Sequence, residues 1–131
     1  MPQTALGATL QLLREQRSLS LRELGRLSDI DHAYIYRLET GDKDSPSEEV
    51  LAKLVRALKA DRRDADILKY AAEHARTDAG FVTHVLKDKS VSYEIFTSAA
   101  GAVFRGTARP DYATLIERVR KILDLEQRGD G

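Results

Sequence analysis

Apolar residues recur every three or four positions along most of the chain, the spacing that places side chains on one face of an α-helix. Leu6, Leu10 and Leu13 form the first such stripe. The later stripes are Leu21, Leu24 and Leu27; Ile35 and Leu38; Val50, Leu51, Leu54, Val55 and Leu58; Ile67, Leu68, Ala71, Ala72 and Ala75; Phe81, Val82, Val85 and Leu86; Val91, Ile95 and Phe96; and Tyr112, Leu115, Ile116, Val119, Ile122 and Leu123. We expect these stripes to face inward. The pattern therefore predicts an all-α protein.

Two of the predicted helices are short and lie close together in residues 20–41. Ser20 can cap the first, and Glu23 can complete a capping box, because each side chain can accept from the other residue's backbone N–H. Asp29 lies in the turn, where the backbone is usually left-handed and Asp is tolerated. Asp31 can cap the second helix. Two such helices predict a helix-turn-helix, which presents the start of its second helix to the DNA major groove.

These residues are part of a longer pattern that resembles the Xre (phage-repressor-like) helix-turn-helix family. The pattern comprises Leu6, Leu10, Leu13 and Arg14; Leu19 to Leu24; Tyr34 to Gly41; and Ser45 to Glu48 with Leu51, Leu54 and Leu58. The resemblance covers about residues 6–70. It implies a five-helix Xre helix-turn-helix domain for DNA binding, which we place at residues 1–76. Residues 77–131 are predicted to form a small helical C-terminal dimerisation domain.

The residues predicted to contact DNA are Arg22, Asp31, His32, Ala33, Tyr36, Arg37 and Lys43. On the second helix of the motif, Ile35 and Leu38 face inward, which leaves the neighbouring positions facing outward. His32 and Ala33 lie nearest to the bases, where His can exchange a hydrogen bond and Ala can meet a thymine methyl group. Arg37 lies one turn further along and is long enough to reach a guanine edge or a phosphate.

The overall charge does not by itself indicate a nucleic-acid partner, because 21 basic residues balance 21 acidic ones. Any attraction to phosphate must therefore be local. The candidate basic rim consists of Arg14, Arg17, Arg22, Arg26, Arg37 and Lys43. The acidic residues near the same face are Asp29, Asp31, Asp42 and Asp44. They repel phosphate, so we expect nonspecific binding to be weak and a dimer to supply the specific affinity.

Cap signals predict where the later helices begin. Ser45 is expected to cap the fourth helix, with Pro46 in its first position. Ser90 is expected to cap the helix that carries Phe96. We interpret residues 61–66 as a charged connector, and the small residues of 98–110 as a loop or a frayed helix end.

The final stripe is strongly amphipathic and is the candidate dimer interface. The residues assigned to that interface are Leu115, Ile116, Val119, Ile122 and Leu123. The same pattern is equally consistent with a helix that covers the core of its own chain. The sequence leaves both interpretations open, and both can hold together.

Part of the C-terminal sequence, residues 103–123, carries a second resemblance. Its elements are Arg105-Gly106, Arg109-Pro110, Tyr112 and the run Arg120 to Leu123. They are similar to the C-terminal segment of the Deinococcus DNA-damage-response repressor family. That resemblance implies inactivation by a separate zinc metallopeptidase of the IrrE/ImmA type. The bond cut in that family corresponds here to Phe104–Arg105, and losing the last helix would separate the dimer and lift repression.

The sequence does not favour an enzyme, a metal-binding protein or a membrane protein. The chain has no cysteine, which excludes disulfides and fits a reducing cytoplasm. The three histidines, His32, His74 and His84, lack the spacing of a zinc site, so we expect no metal and no cofactor. Only 30 residues follow Gly101, too few for a self-cleaving peptidase domain. We expect no enzymatic activity, no membrane segment or signal peptide, and a cytoplasmic, nucleoid-associated protein.

Two functions remain. The first is a sequence-specific transcriptional repressor that acts as a homodimer on double-stranded operator DNA in a stress response. The alternative is an antitoxin whose C-terminal helices neutralise a toxin and which also represses its own operon. A metallopeptidase partner belongs to the first function and a toxin partner to the second.

Overall fold

The computed structural model describes residues 3–103 and 111–129 of the chain. Within these ranges the chain forms eight α-helices and no strand, so the predicted all-α class is confirmed. The helices are α1 (Ala5–Gln16), α2 (Leu21–Ser28), α3 (His32–Thr40), α4 (Glu48–Leu58), α5 (Arg62–Glu73), α6 (Ala79–Leu86), α7 (Tyr93–Val103) and α8 (Tyr112–Gly129). None of these described helices combines the length and the apolar character that a membrane span requires.

The two short helices of the motif begin and end as their sequence predicts. At α2 the capping box is present: the N–H of Glu23 donates to Ser20 Oγ, and the N–H of Ser20 donates to Glu23 Oε1, each at 3.0 Å. The backbone N–H of Ser20 is the main reason why the pKa of Glu23 lies below its ordinary value. Helix α2 ends at Asp29, whose φ of 58° is left-handed. Asp31 caps α3 by accepting from the N–H of Ala33 at 2.9 Å.

The predicted start of the fourth helix is wrong. Helix α4 begins at Glu48, and its cap is Ser47, whose Oγ accepts from the N–H of Val50 at 3.1 Å. The hydroxyl of Ser45 donates instead to Asp44 at 3.2 Å. Ser45 has the capping-box spacing to Glu48, whereas Ser47 has Val50 at that position. The backbone path nevertheless places Ser47, and not Ser45, at the free N–H groups of the first turn.

The cap predicted for the seventh helix is also two residues too early. The N–H of Ile95 donates to Ser92 Oγ at 3.1 Å, so Ser92 is the residue at the start of α7. The hydroxyl of Ser90 donates to Asp88 at 2.6 Å and closes the preceding turn. Helix α7 then continues to Val103, so the first part of 98–110 is helical and not a loop, which leaves the prediction of a helix end. Residues 104–110 lie outside the described residues.

The charged segment at 61–66 is helical rather than a connector. Helix α5 begins at Arg62, and Asp61 caps it by accepting from the N–H of Asp64 at 2.8 Å. Acidic side chains stabilise the first turn of a helix, where N–H groups are free and the helix dipole is positive. The charges therefore mark a helix start.

The hydrophobic core is continuous from the motif into the later helices. Helix α1 packs against α3, α5 and α6, and α7 packs against α5, α6 and α8. In α6, Phe81, Val82 and Val85 have no exposed surface. The predicted domain boundary after residue 76 falls between α5 and α6, and apolar packing extends across it.

A polar cluster also joins α5 to the turn between α6 and α7. The guanidinium of Arg63 donates to the carbonyl oxygens of Val85, Leu86, Asp88 and Val91 at distances of 2.8 to 3.2 Å. Its Nη2 also lies 2.9 Å from the carboxylate of Asp64, which is only 1% exposed. Lys89 Nζ is 2.9 Å from the other oxygen of Asp64 and 3.0 Å from Asp61. The buried carboxylate is therefore paired from both sides.

The contacts of Lys89 predict a stability that depends on pH. Hydrogen bonding to Asp64 raises the pKa of Lys89 above 10.5, so this stabilisation is present below pH 10.5 and is lost as pH rises through the raised pKa. The pKa of Asp61 lies below 3.8, mainly because the N–H of Asp64 donates to it and then because Lys89 does. The stabilisation of the fold by ionised Asp61 is present above pH 3.8 and is lost as pH falls through its lowered pKa.

We expect Lys89→Met to lower the free energy of unfolding by less than about 1 kcal/mol at neutral pH, because Lys89 is exposed and screened by solvent. Thermal melts of the wild type and the variant should converge only once the pH has fallen through the lowered pKa of Asp61, which lies below 3.8. A difference between the two chains that stays constant across the whole acid range would show that Lys89 stabilises by packing alone.

Candidate nucleic-acid interface

Helices α2 and α3 approach each other closely at the turn that separates them. The N–H of Ile30 donates to the carbonyl of Gly25 at 3.1 Å. A Cβ atom at Gly25 would lie 2.9 Å from the carbonyl oxygen of Ile30 and 3.1 Å from the Cβ of His32. Glycine is therefore required for α2 and the start of α3 to meet at this distance.

Helix α3 is held from its inner side by both apolar and ionic contacts. Ile35 and Leu38 are fully buried in the core. Glu39 is 5% exposed and accepts two hydrogen bonds from Arg14 of α1, from Nε at 2.7 Å and from Nη2 at 2.9 Å. Nη1 of Arg14 donates to the carbonyl of Leu19 at 2.9 Å. The hydrogen bond to Glu39 is the main reason why the pKa of Arg14 is raised.

A second glycine lets α1 lie directly against the end of α3. A Cβ atom at Gly7 would lie 2.8 Å from the carbonyl oxygen of Leu38 and closer still to that of Glu39. Backbone atoms cannot move aside as a flexible side chain can, so a larger residue would push the two helices apart. Gly7 and the pair Arg14–Glu39 together fix the angle of α3, and neither feature follows from the helical pattern of the sequence.

The outer face of α3 is open to solvent. His32 and Ala33 are exposed at its start, and Tyr36 is 55% exposed one turn along. Asp31 is exposed as well, but its carboxylate is engaged by the N–H of Ala33. The imidazole Nδ1 of His32 lies 3.7 Å from the same carboxylate. The structure therefore brings these four predicted residues together at the N-terminal end of α3.

Arg37 and Lys43 extend this surface towards the loop that follows α3. The side chain of Arg37 is 57% exposed, and its Nε lies 4.0 Å from a carboxylate oxygen of Asp42. Lys43 is exposed, and its N–H donates to the carbonyl of Arg37 at 3.0 Å. Arg22 is exposed on the neighbouring α2. A long, weakly held Arg–Asp pair can open at little cost when a phosphate or a base replaces the carboxylate.

The predicted basic rim is smaller than expected. Arg14 belongs to the pair with Glu39, as described above. Arg17 donates to the carbonyl oxygens of Leu58 at 2.8 Å and Lys59 at 3.2 Å, so it caps the end of α4. The cations that remain at the motif are those of Arg22, Arg26, Arg37 and Lys43.

One apolar position of the motif also differs from its prediction. Leu27, which was expected to face the core, is instead 55% exposed on α2.

The stripe assigned to dimerisation divides into two parts. Leu115, Ile116 and Val119 are 4 to 8% exposed, because this half of α8 packs within the chain itself. Leu123 is half-buried, and Ile122 is 54% exposed. For the first three residues the structure therefore corrects the picture of an open interface: they cover their own chain's core.

The start of α8 is tied to the start of α6. The hydroxyl of Tyr112 donates to Asp78, which also accepts from the N–H of Phe81 at 2.9 Å and so caps α6. The rings of Tyr112 and Phe81 lie 5.5 Å apart. The bond Phe104–Arg105, predicted as a cleavage site, lies outside the described residues.

Comparison with a family of known domains agrees with this geometry. Residues 5–68 match the model of a family described as a helix-turn-helix domain. Among solved structures, the chain is similar to the crystal structure of the clp gene regulator ClgR from C. glutamicum. The two are 40% identical over 53% of this chain and 86% of that chain, with a TM-score of 0.44. None of the curated proteins matches the chain.

The buried inner face and open outer face of α3 are those of a recognition helix. Residues 5–68 are a helix-turn-helix domain. Such domains bind DNA through this second helix, so DNA is the expected ligand of this surface.

Proposed function

We propose that the chain is a transcriptional repressor of the Xre type that binds a two-fold symmetric operator as a homodimer. The observation that carries this proposal is the exposed start of α3, held rigidly against α1 by Arg14, Glu39 and Gly7. A mobility-shift titration with the promoter region of the protein's own gene tests it. A sharp complex on that DNA, and not on a scrambled sequence of equal length, is the expected result.

The base-reading role falls first to Arg37. A bidentate contact from an arginine to a guanine contributes roughly 1–3 kcal/mol. We expect Arg37→Ala to weaken operator binding tenfold or more in the mobility shift while the thermal melt stays near that of the wild type, because the side chain is exposed. Arg56→Ala, on the exposed side of α4, serves as the matched control and should bind normally. If Arg37→Ala binds the operator as tightly as the wild type, Arg37 does not contribute to DNA binding.

His32 and Ala33 are proposed to set the sequence preference. Both are exposed at the first turn of α3, and the Asp31 cap holds that turn in place. We expect the double substitution His32→Gln with Ala33→Ser to change which base pairs are preferred when binding is selected from a randomised operator. A uniform loss of affinity across all sequences would show that the two residues contact phosphate and only position the helix.

Regulation is proposed to act through residues 77–131, which we regard as the dimerisation part of the chain. A metallopeptidase of the IrrE/ImmA type would cut the bond Phe104–Arg105 and so separate α8 from the rest. The hydrogen bond from Tyr112 to Asp78 supports this idea. It is a side-chain contact between α8 and α6, and we expect such contacts to weaken once the chain that joins α7 to α8 is cut. Incubation with the product of a neighbouring metallopeptidase gene should yield a fragment that ends at Phe104.

The antitoxin function is the second candidate, favoured by the exposed side chains of Ile122 and Leu125 near the end of α8. Large exposed apolar side chains are typical of surfaces that bind another protein. Co-expression with the product of a neighbouring small gene distinguishes the two functions. Rescue of growth by α8 in the presence of that product supports an antitoxin, whereas proteolysis at Phe104 supports a switchable repressor.

A further inference from the structure

An open groove runs between α4 and α5, on a part of the helix-turn-helix domain that the DNA-binding face does not use. It encloses about 420 Å³. Ala52, Ala65 and Ala72 lie along it, and these small side chains keep the space between the two helices open. Leu68 at its base is fully buried in the core. The floor of the groove is therefore largely apolar.

The edges of this groove are predominantly acidic. Glu48 lies at the start of α4, and Asp66 and Glu73 lie on α5. Lys69 is the basic residue among the groove's lining. A complementary partner would present large apolar side chains flanked by positive charge.

The end of α8 has this composition. Ile122 and Leu125 are 54% and 67% exposed. At 100° per residue they lie side by side on one flank of the helix, next to the half that packs within the chain. Arg118 lies between them around the helix, and Lys121 and Arg128 lie beside Leu125 on the side away from the core; all three are exposed. We call Ile122, Leu125 and these three cations the basic flank of α8.

We infer that the basic flank of α8 in one copy of the chain docks into the α4–α5 groove of a second copy. This inference rests on the proposed dimer and specifies its contact surface. In a two-fold dimer the contact occurs twice, since each copy offers both a groove and a flank. Exposed Ile122 and Leu125 would then be removed from water, while Glu48, Asp66 and Glu73 would face the cations of α8. The dimer contact thereby lies directly on the DNA-binding domain.

Site-specific crosslinking tests the arrangement, and the absence of native cysteines makes the introduced ones unambiguous. Ala52→Cys places a thiol in the groove, and Leu125→Cys places one on the flank. Treated with a short bis-maleimide reagent, an equimolar mixture of the two chains should give crosslinked dimer, whereas each chain alone should give little. Gln127→Cys, exposed on the opposite side of α8, is the matched control and should not crosslink to Ala52→Cys.

Each alternative arrangement gives a different result. Efficient crosslinking of Leu125→Cys alone would show that two α8 helices pair with each other; this overturns the groove contact and leaves the proposed dimer intact. No crosslinking in any mixture, with a monomer mass by light scattering, would overturn both. Crosslinking in the mixture that is abolished by excess unmodified chain supports the inference, because it shows a specific site.

A charge exchange provides an independent test. Glu73→Lys and Lys121→Glu should each weaken dimerisation, measured by sedimentation at low salt, by roughly fivefold. Both substitutions in one chain should restore much of the loss, because each copy then carries a matching groove and flank. If the double variant is as weak as the sum of the two single ones, the two charges do not face each other and the contact is wrong.

Discussion

Arg14→Ala should be the most destabilising single substitution in the helix-turn-helix domain. It leaves the carboxylate of Glu39 buried at 5% exposure without its two hydrogen bonds from Arg14, and uncompensated buried charges cost about 3–5 kcal/mol. Typical domains are stable by only about 5–15 kcal/mol. Urea unfolding should therefore show a large fall in the midpoint, and operator binding should fall with it, because Glu39 lies on α3.

A matched pair of variants separates the charge from the packing. Arg14→Met with Glu39→Met removes both ionic groups and keeps apolar volume, so it should recover most of the lost stability. If the double variant is no more stable than Arg14→Ala, the loss comes from the contact of Arg14 with the carbonyl of Leu19 and from packing, and not from the stranded carboxylate of Glu39.

Removal of α8 should have the largest effect on DNA binding. A chain that ends at Phe104 keeps α1 to α7, including α6 against α1, and should retain a folded helix-turn-helix domain by circular dichroism. Without the basic flank of α8 it should be monomeric by light scattering. Loss of the second half-site forfeits avidity, which typically contributes a factor of about 10² to 10⁴, so operator affinity should fall by that order.

The control for this truncation is a chain that ends at Gly129, which retains all of α8 and should dimerise and bind as the full chain does. A chain ending at Phe104 that stays dimeric and binds as tightly as the full protein would contradict both the dimer contact and the cleavage mechanism. A chain that unfolds would instead show that α8 is needed to cover α7. The burial of Leu115 and Ile116 in the core makes this the alternative outcome.

Most of the helices and the exposed face of α3 could be predicted because their signals are local. The spacing of Leu21 and Leu24, the capping box of Ser20 and Glu23, and the turn at Asp29 each lie within one or two turns of chain. The exposed positions of α3 follow once Ile35 and Leu38 are assigned to the inner face. Caps at Ser45 and Ser90 were misassigned because several residues near each helix start can accept hydrogen bonds equally well.

Contacts between residues distant in sequence could not be predicted in this way. Arg14 and Glu39 are 25 positions apart, and nothing local distinguishes Arg14 from the exposed arginines around it. Arg63 donates to carbonyl groups 22 to 28 positions away in the sequence, and no pattern of side chains predicts such backbone contacts. The apolar stripe of α8 was equally suited to its own core and to a partner, and only the fold shows where one use ends and the other begins.

The packing of α6 against α1 has a consequence for how the chain is made. Helix α1 is synthesised first, yet part of the surface that covers it arrives only with Phe81, Val82 and Val85. At about 5–20 residues per second, several seconds pass on the ribosome before these residues emerge. A nascent chain that has completed α3 already displays its recognition helix but lacks the cover of α1. DNA binding by chains still under synthesis should therefore be suppressed until α6 has docked.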